Sequence, residues 1–160
     1  MSIQVGDAVP DVSAFVMSEE GPEAISTSTF CSGKKIVLFA VPGAFTPTCS
    51  EAHLPGFIAR RDELLSHDVD EIACISVNDV FVMHAWGKQY DANGITMIAD
   101  GLAEFAKAVG MTVDYSARGL GIRSDRYAMI IENAKVTWLA REEPRQLDVS
   151  TAEAVLKALR

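Results

Sequence analysis

Cys49 is the residue of this chain best placed for chemistry. It closes the segment Val41-Pro42-Gly43-Ala44-Phe45-Thr46-Pro47-Thr48-Cys49, which follows the apolar run Ile36 to Ala40 and precedes a helical pattern. A thiol at such a strand-to-helix turn faces backbone N–H groups that have no partner inside the helix. The helix dipole is positive there, so the thiolate is favoured over the thiol. An ordinary thiol is only a few per cent ionised at neutral pH, and lowering its pKa to about 6 increases the thiolate roughly thirty-fold before ionisation saturates. Any larger acceleration has to come from N–H, hydroxyl and guanidinium donors already aimed where charge develops.

The surrounding residues suit that task. Thr46 lies three residues before Cys49, a spacing that within one helical turn brings its hydroxyl to the side of the sulfur. There it can hydrogen-bond the thiolate or an incoming oxygen. Pro47 fits the first helical position, where its missing N–H would have gone unpaired anyway. The prolines and glycine make a rigid turn. Pro42 is expected to fix the loop and shield an oxidised sulfur, and Gly43 to keep the approach open. Phe45 is expected to line an apolar collar, with Gly43 and Thr48 beside it in contact with substrate. Gly121-Ile122-Arg123-Ser124-Asp125-Arg126-Tyr127 offers two arginines just before a strand, either of which could complete the set.

These residues need a scaffold, and the hydrophobic pattern supplies one. Ile36 to Val41 reads as a buried strand, followed by one helix carrying Leu54, Phe57, Ile58, Leu64 and Leu65 on its inward face. Glu71 to Val77 reads as the next strand, and Asn78-Asp79 can cap a helix containing Val82, Met83 and Trp86. Thr96 to Ala99 is a short strand and Leu102 to Val109 a short helix. Ala128 to Glu132 and Val136 to Ala140 form a hairpin around Asn133-Ala134. Ser150 with Glu153 makes a capping box for a last helix through Leu159. Parallel βαβ units followed by a hairpin give an α/β protein, a mixed central sheet with helices on both faces.

The 160 residues, about half of them apolar, suit a single domain spanning 1–160. A net charge of −8 repels phosphate backbones and anionic lipid, so neither nucleic acid nor a membrane is an expected partner. The apolar runs are far too short to span a bilayer, and the N-terminus lacks the pattern of a signal peptide, which points to the cytoplasm. Three cysteines with no C-x-x-C pair fit neither a secreted disulfide framework nor a zinc site.

Pro42, Thr46 and Cys49 form P-x-x-x-T-x-x-C, which resembles the active-site signature of the peroxiredoxins. The likeness extends through Gly33-Lys34-Lys35, His53-Leu54-Pro55-Gly56-Phe57, Ser76-Val77-Asn78-Asp79, Ala85-Trp86-Gly87 and Gly119 to Tyr127, and is to the type II, peroxiredoxin-5-like branch. The resemblance implies a thioredoxin-like fold and a thiol peroxidase that reduces hydrogen peroxide and alkyl hydroperoxides through a Cys49 sulfenic acid. It implies Arg126 as the catalytic arginine, leaving Arg123 a structural one, paired to a carboxylate or facing solvent. It further implies no metal or other cofactor, an external thiol reductant (glutathione with glutaredoxin, or thioredoxin), and a homodimer touching around Phe45, Phe81 and Leu120.

Cys74 occupies a place similar to that of the second cysteine in plant-type members, as a possible resolving residue. A helix of about 17 residues climbs roughly 25 Å, whereas the returning strand recovers only about 10 Å. A Cys49–Cys74 bridge would then require the first helical turns to unwind, and recycling through one essential cysteine is the favoured scheme. By default Cys74 is a small core hydrophobe and Cys31 a partly buried residue. His53 at four residues from Cys49 could suggest a base or half of a metal site. No matching ligand pattern accompanies it, and the resemblance makes it a scaffold residue. The alternatives are a thiol–disulfide oxidoreductase, disfavoured by Thr46 where a second cysteine would stand, and a redox sensor or chaperone-like protein switched by Cys49 oxidation.

Overall fold

A computed structural model describes residues 1–160. In chain order the strands and helices are β1 (Ser13–Ser18), β2 (Gly21–Ser26), α1 (Thr27–Cys31) and β3 (Lys35–Val41). A π turn (Cys49–His53) then runs into α2 (Leu54–Ala59) and α3 (Arg61–Leu65). There follow β4 (Glu71–Ser76), α4 (Val80–Gln89), β5 (Ile95–Ala99), α5 (Glu104–Ala108), β6 (Thr112–Asp114), β7 (Ile122–Ser124), β8 (Tyr127–Glu132), β9 (Lys135–Arg141) and α6 (Ala152–Leu159). Seven strands form one mixed sheet in the order β2-β1-β5-β4-β3-β8-β9, and β6 pairs with β7 in a separate two-stranded sheet. The central trio β5-β4-β3 is parallel, and β8 returns antiparallel to β3. This is the thioredoxin-like α/β arrangement that the resemblance implies.

Alternation along β3 builds both faces of the core. Val37, Phe39 and Val41 meet Leu54, Phe57, Leu64, Met83, Trp86, Val155 and Leu156 on one side. Ile36, Leu38 and Ala40 meet Cys31, Phe105, Val109, Tyr127 and Met129 on the other. Helices therefore cover both faces, and each fully buried large side chain contributes about 1.5–3 kcal/mol. The Asn133-Ala134 hairpin is present, both residues lying at positive φ as a two-residue primed turn requires.

Three helices differ from the sequence expectation. The helix after Cys49 is not continuous: it opens as a π turn and breaks again at Arg60. The helix expected from Leu102 to Val109 is confined to α5, because Ala103 sits at φ 58 and the Asp100 carboxylate takes the Phe105 and Ala106 N–H groups. The last helix is capped by Thr151, whose hydroxyl accepts from the Ala154 N–H, and not by Ser150. No helix is long and apolar enough to cross a membrane.

Candidate active site

The loop after β3 is held by its own polar groups. Thr46 donates both its N–H and its hydroxyl to the Gly43 carbonyl, at 3.4 and 2.6 Å. The Ala44 N–H donates to Asn78 Oδ1, which also accepts from the Ser76 hydroxyl, so the loop is pinned to the end of β4. Phe45 takes a left-handed φ of 64° to make the turn. A side chain on Gly43 would press on Arg123 Nη1 and Thr46 Cγ2, each 3.1 Å from the position of a Cβ, so a glycine fits closely here.

Helical structure begins at Pro47 and at once widens, the Leu54 N–H reaching back five residues to the Cys49 carbonyl. Pro55 explains the widening. It has no N–H, and its ring would collide with the carbonyl four residues earlier, so an α-helical turn cannot continue through it. The wider turn still leaves Cys49 and His53 facing the same partner, which arrives from the segment joining β7 to β8.

That partner is Arg126. Its Nη2 donates to Cys49 Sγ at 3.1 Å and its Nη1 to His53 Nδ1 at 2.8 Å. A guanidinium has donors and no acceptor, so Nδ1 must carry the lone pair. The proton is then on Nε2, which donates to the Ser150 carbonyl at 2.9 Å. Burial, and next the Arg126 charge, push the His53 pKa down to about 3, which keeps the ring neutral. It packs at a tilt against Phe39 and Phe57, which stack on each other. Ser150 is held in turn by Glu142, whose Oε2 accepts from the Ser150 N–H and hydroxyl and from the Asp148 N–H, at 2.7–2.8 Å. Burial alone would raise the Glu142 carboxyl; these donors overcome it and hold the group below the usual carboxylate range.

The Cys49 sulfur is fully buried beneath a mouth of about 180 Å³. Pro42, Thr46, Pro47 and Thr48 form one wall, Tyr115, Arg118 and Leu120 another, and Asp125, Arg126 and Glu142 to Arg145 complete the rim. A small molecule entering here meets Thr46 and Arg126; Cys49 does not line the mouth, and its sulfur lies behind the Arg126 guanidinium that does. No cluster of three His, Cys, Asp or Glu side chains that could hold a metal ion occurs.

Pro42, Thr46, Thr48, Cys49 and Arg126 are thus brought to one place. Gly43 and Phe45 lie behind the mouth and do not line it; Phe45 is half exposed, and the apolar part of the rim comes from Leu120, Tyr115 and Pro144. Of the two partners open to the Thr46 hydroxyl, the sulfur and an incoming oxygen, the sulfur receives no bond from it, since its proton goes to Gly43. Arg123 neither pairs with a carboxylate nor simply faces water: it donates to the Leu120 and Pro42 carbonyls and braces the loop. Cys74 is unpaired and fully buried in the same apolar cluster as Cys49. Burial, and then the neighbouring Cys49, push its thiol well above the ordinary value. Cys31 is also unpaired, and burial raises its thiol to about 11. Tyr115, Arg118, Ser150 and the segment Glu142 to Arg145 belong to the site without being marked as such in the sequence. The one available signal is the serine and acidic residue flanking the last helix, a pattern that reads equally well as a cap.

Residues 4–156 match the Redoxin family. The chain is 48% identical over 159 residues to Peroxiredoxin-2D of Arabidopsis thaliana, covering 98% of each chain. It is 40% identical over 142 residues to a peroxiredoxin of Rhizobium etli, covering 84% of this chain and 79% of that one. Among solved structures, reduced Prx3 in complex with hydrogen peroxide from Vibrio vulnificus aligns with a TM-score of 0.96 at 50% identity over 99% of both chains.

Proposed function

From membership of the peroxiredoxins of the redoxin family, to which this chain belongs, we propose a catalytic cycle carried by Cys49. The protein is a thiol-dependent peroxidase with an antioxidant role. In the proposed cycle a hydroperoxide enters the mouth and donates its O–H proton in a hydrogen bond to Thr46 Oγ1, whose own proton is committed to Gly43 and whose lone pairs are free to accept. The Cys49 thiolate attacks that oxygen, the S–O bond forms and the O–O bond breaks. The sulfur becomes a sulfenic acid, and the departing alkoxide or hydroxide takes a proton from solvent to leave as alcohol or water. Arg126 stabilises both the thiolate and the charge growing on the departing oxygen. The observation that carries this reading is the 3.1 Å approach to Cys49 Sγ of Nη2 of Arg126, a residue that lines an open mouth.

Return to the thiol takes two electrons from an external thiol. One equivalent displaces water to form a mixed disulfide with Cys49, and a second releases the disulfide product. Glutathione with glutaredoxin, or thioredoxin, is the proposed donor, with hydrogen peroxide and alkyl hydroperoxides as substrates and no metal or prosthetic group. The burial and raised thiol of Cys74 favour a cycle with one essential cysteine. Residues 1–160 would act as a single domain in the cytoplasm, a compartment that suits three unpaired cysteines. Exposed Phe45, Phe81 and Leu120 would meet their counterparts in a homodimer.

Steady-state peroxide consumption by wild type, Cys49→Ser and Cys74→Ser, with thioredoxin and glutathione–glutaredoxin supplied separately, tests the cycle. Cys49→Ser should be inactive and Cys74→Ser active with at least one donor. Activity in Cys49→Ser would overturn the cycle. A Cys74→Ser protein that stops after one turnover would make Cys74 the resolving thiol.

A further inference from the structure

Arg126 is held at both ends by one closed ring of hydrogen bonds. Its carbonyl accepts the Glu142 N–H at 2.9 Å where the β8–β9 pairing continues past Tyr127. The Glu142 carboxylate holds the Ser150 N–H and hydroxyl, the Ser150 carbonyl accepts from His53 Nε2, and His53 Nδ1 accepts from Arg126 Nη1. The ring thus returns to the guanidinium of the residue from which it started. We propose that His53 and Glu142 are positioning residues of the peroxidase reaction, which aim Nη2 of Arg126 at the Cys49 sulfur by fixing its other nitrogen.

The geometry favours this role over two simpler ones. His53 cannot be the proton acceptor or donor of the reaction, because its lone pair is occupied by Arg126 and its proton by a backbone carbonyl. Nor is it packing alone. An apolar ring of the same size would pack against the Phe39–Phe57 stack equally well and leave Nη1 without an acceptor. A guanidinium on a long, flexible stem gains most from a second fixed contact, since both planar donors are then oriented at once. Glu142 matters because it acts on the ring through Ser150: its carboxylate gathers Asp148 and Ser150 just ahead of α6. The charged or titratable groups that face the sulfur are Arg126 from the β7–β8 segment, His53 from its own helix and Cys74 from β4.

The proposal rests on Cys49 as the reacting thiol, and its test separates the two ideas. Asparagine places its amide oxygen near the position of Nδ1, whereas glutamine places its amide nitrogen near Nε2. His53→Asn therefore keeps the acceptor for Arg126, and His53→Gln keeps only the donor to Ser150. Glu142→Gln retains an oxygen for Ser150 and Asp148, and Glu142→Ala removes it.

Two rates would be measured across a pH series on folded protein: alkylation of Cys49 by iodoacetamide, followed by mass spectrometry, and oxidation by hydrogen peroxide. Glu142→Gln should stay within a few-fold of wild type, and His53→Asn should keep clearly more of both rates than His53→Gln. His53→Gln and Glu142→Ala should lose about ten-fold or more in peroxide reduction, with both pH profiles displaced to higher pH as the guanidinium loses its aim. Wild-type rates and profiles in His53→Gln and Glu142→Ala would overturn the proposal, as would equal losses in the Asn and Gln variants with unmoved profiles. If Glu142→Ala does not fold, the His53 pair decides alone. The alkylation profile reads Arg126 against the sulfur even if peroxide proves to react elsewhere.

Discussion

A hydroxyl has one proton, and Thr46 gives its own to the Gly43 carbonyl, which leaves it an acceptor facing the mouth and of its two expected partners keeps the incoming oxygen over the sulfur. Gly43 sets that orientation, so Gly43→Ala should disturb it. The added methyl must push Thr46 or Arg123 by a few tenths of an ångström, and both are tied to the loop's carbonyls. Peroxide reduction is expected to fall about ten-fold, with the melting temperature little changed; wild-type kcat/KM would show that the loop yields freely. Arg126→Lys tests the opposite side of the sulfur. One ammonium cannot hold His53 and Cys49 at fixed separation as two guanidinium nitrogens do, and a loss of about 100-fold in kcat/KM is expected. Lysine restoring full activity would mean that charge alone suffices. Much of this site is legible locally: Pro42, Thr46, Thr48 and Cys49 lie within one turn of chain. Arg126, remote in sequence, is visible only through a family likeness. Glu142 and Ser150 are not legible, because only the pairing of β8 with β9 and the return of the chain toward α6 bring them to His53.

At the scale of elements, the site depends on a helix that starts badly. Pro55 forces the π turn, and the π turn fixes how Cys49 and His53 are presented to Arg126. Pro55→Ala restores an N–H and removes the clash with the Glu51 carbonyl, so the turn can close to α-helical geometry. Losing one residue from the wide turn would rotate the chain before it by roughly 100° relative to the chain after it. The variant is expected to melt at or above the wild-type temperature and yet to lose ten-fold or more in peroxide reduction. Unchanged activity would show that the packing of Leu54 and Phe57 holds the π turn without proline. Sequence pattern marks β3 and β4 well because both are apolar on two faces. The β1–β2 hairpin escapes it, since Ala14 alone is fully buried there and β2 carries Pro22 and Glu23 at the sheet edge. Ser150 reads as a cap for a related reason: a capping box is a local pattern, and a buried carboxylate from β9's end competes for the same hydroxyl and wins.

The ring around Arg126 also couples the active site to the stability of the whole molecule. A histidine held neutral in the fold, with a pKa of about 3 against about 6.5 when exposed, binds fewer protons folded than unfolded between those values. Stability is then fully present above about pH 6.5 and is lost as pH falls, by up to about 1.4 kcal/mol per unit, until the folded pKa is reached. Between about pH 7.5 and pH 5 the His53 contribution to that loss is about 2 kcal/mol. Glu142, held low, acts in the same direction further into acid, because its bonds to Asp148 and Ser150 are lost as the carboxylate is protonated. Asp100 opposes both. Burial raises its carboxyl against the hydrogen bonds from Phe105 and Ala106, so the folded state takes up its proton first. Urea unfolding of wild type and His53→Asn at the two pH values isolates the histidine. Whatever the variant's starting stability, its loss on acidification should be smaller by about 2 kcal/mol, because asparagine has no proton to gain. An equal acid loss in both proteins would assign the effect to the carboxylates and show that His53 is protonated at little cost in the fold. The expected outcome instead ties activity and folding to one neutral ring, which in the folded protein keeps its lone pair for Arg126 down to about pH 3 while the stability it confers is already falling below about pH 6.5.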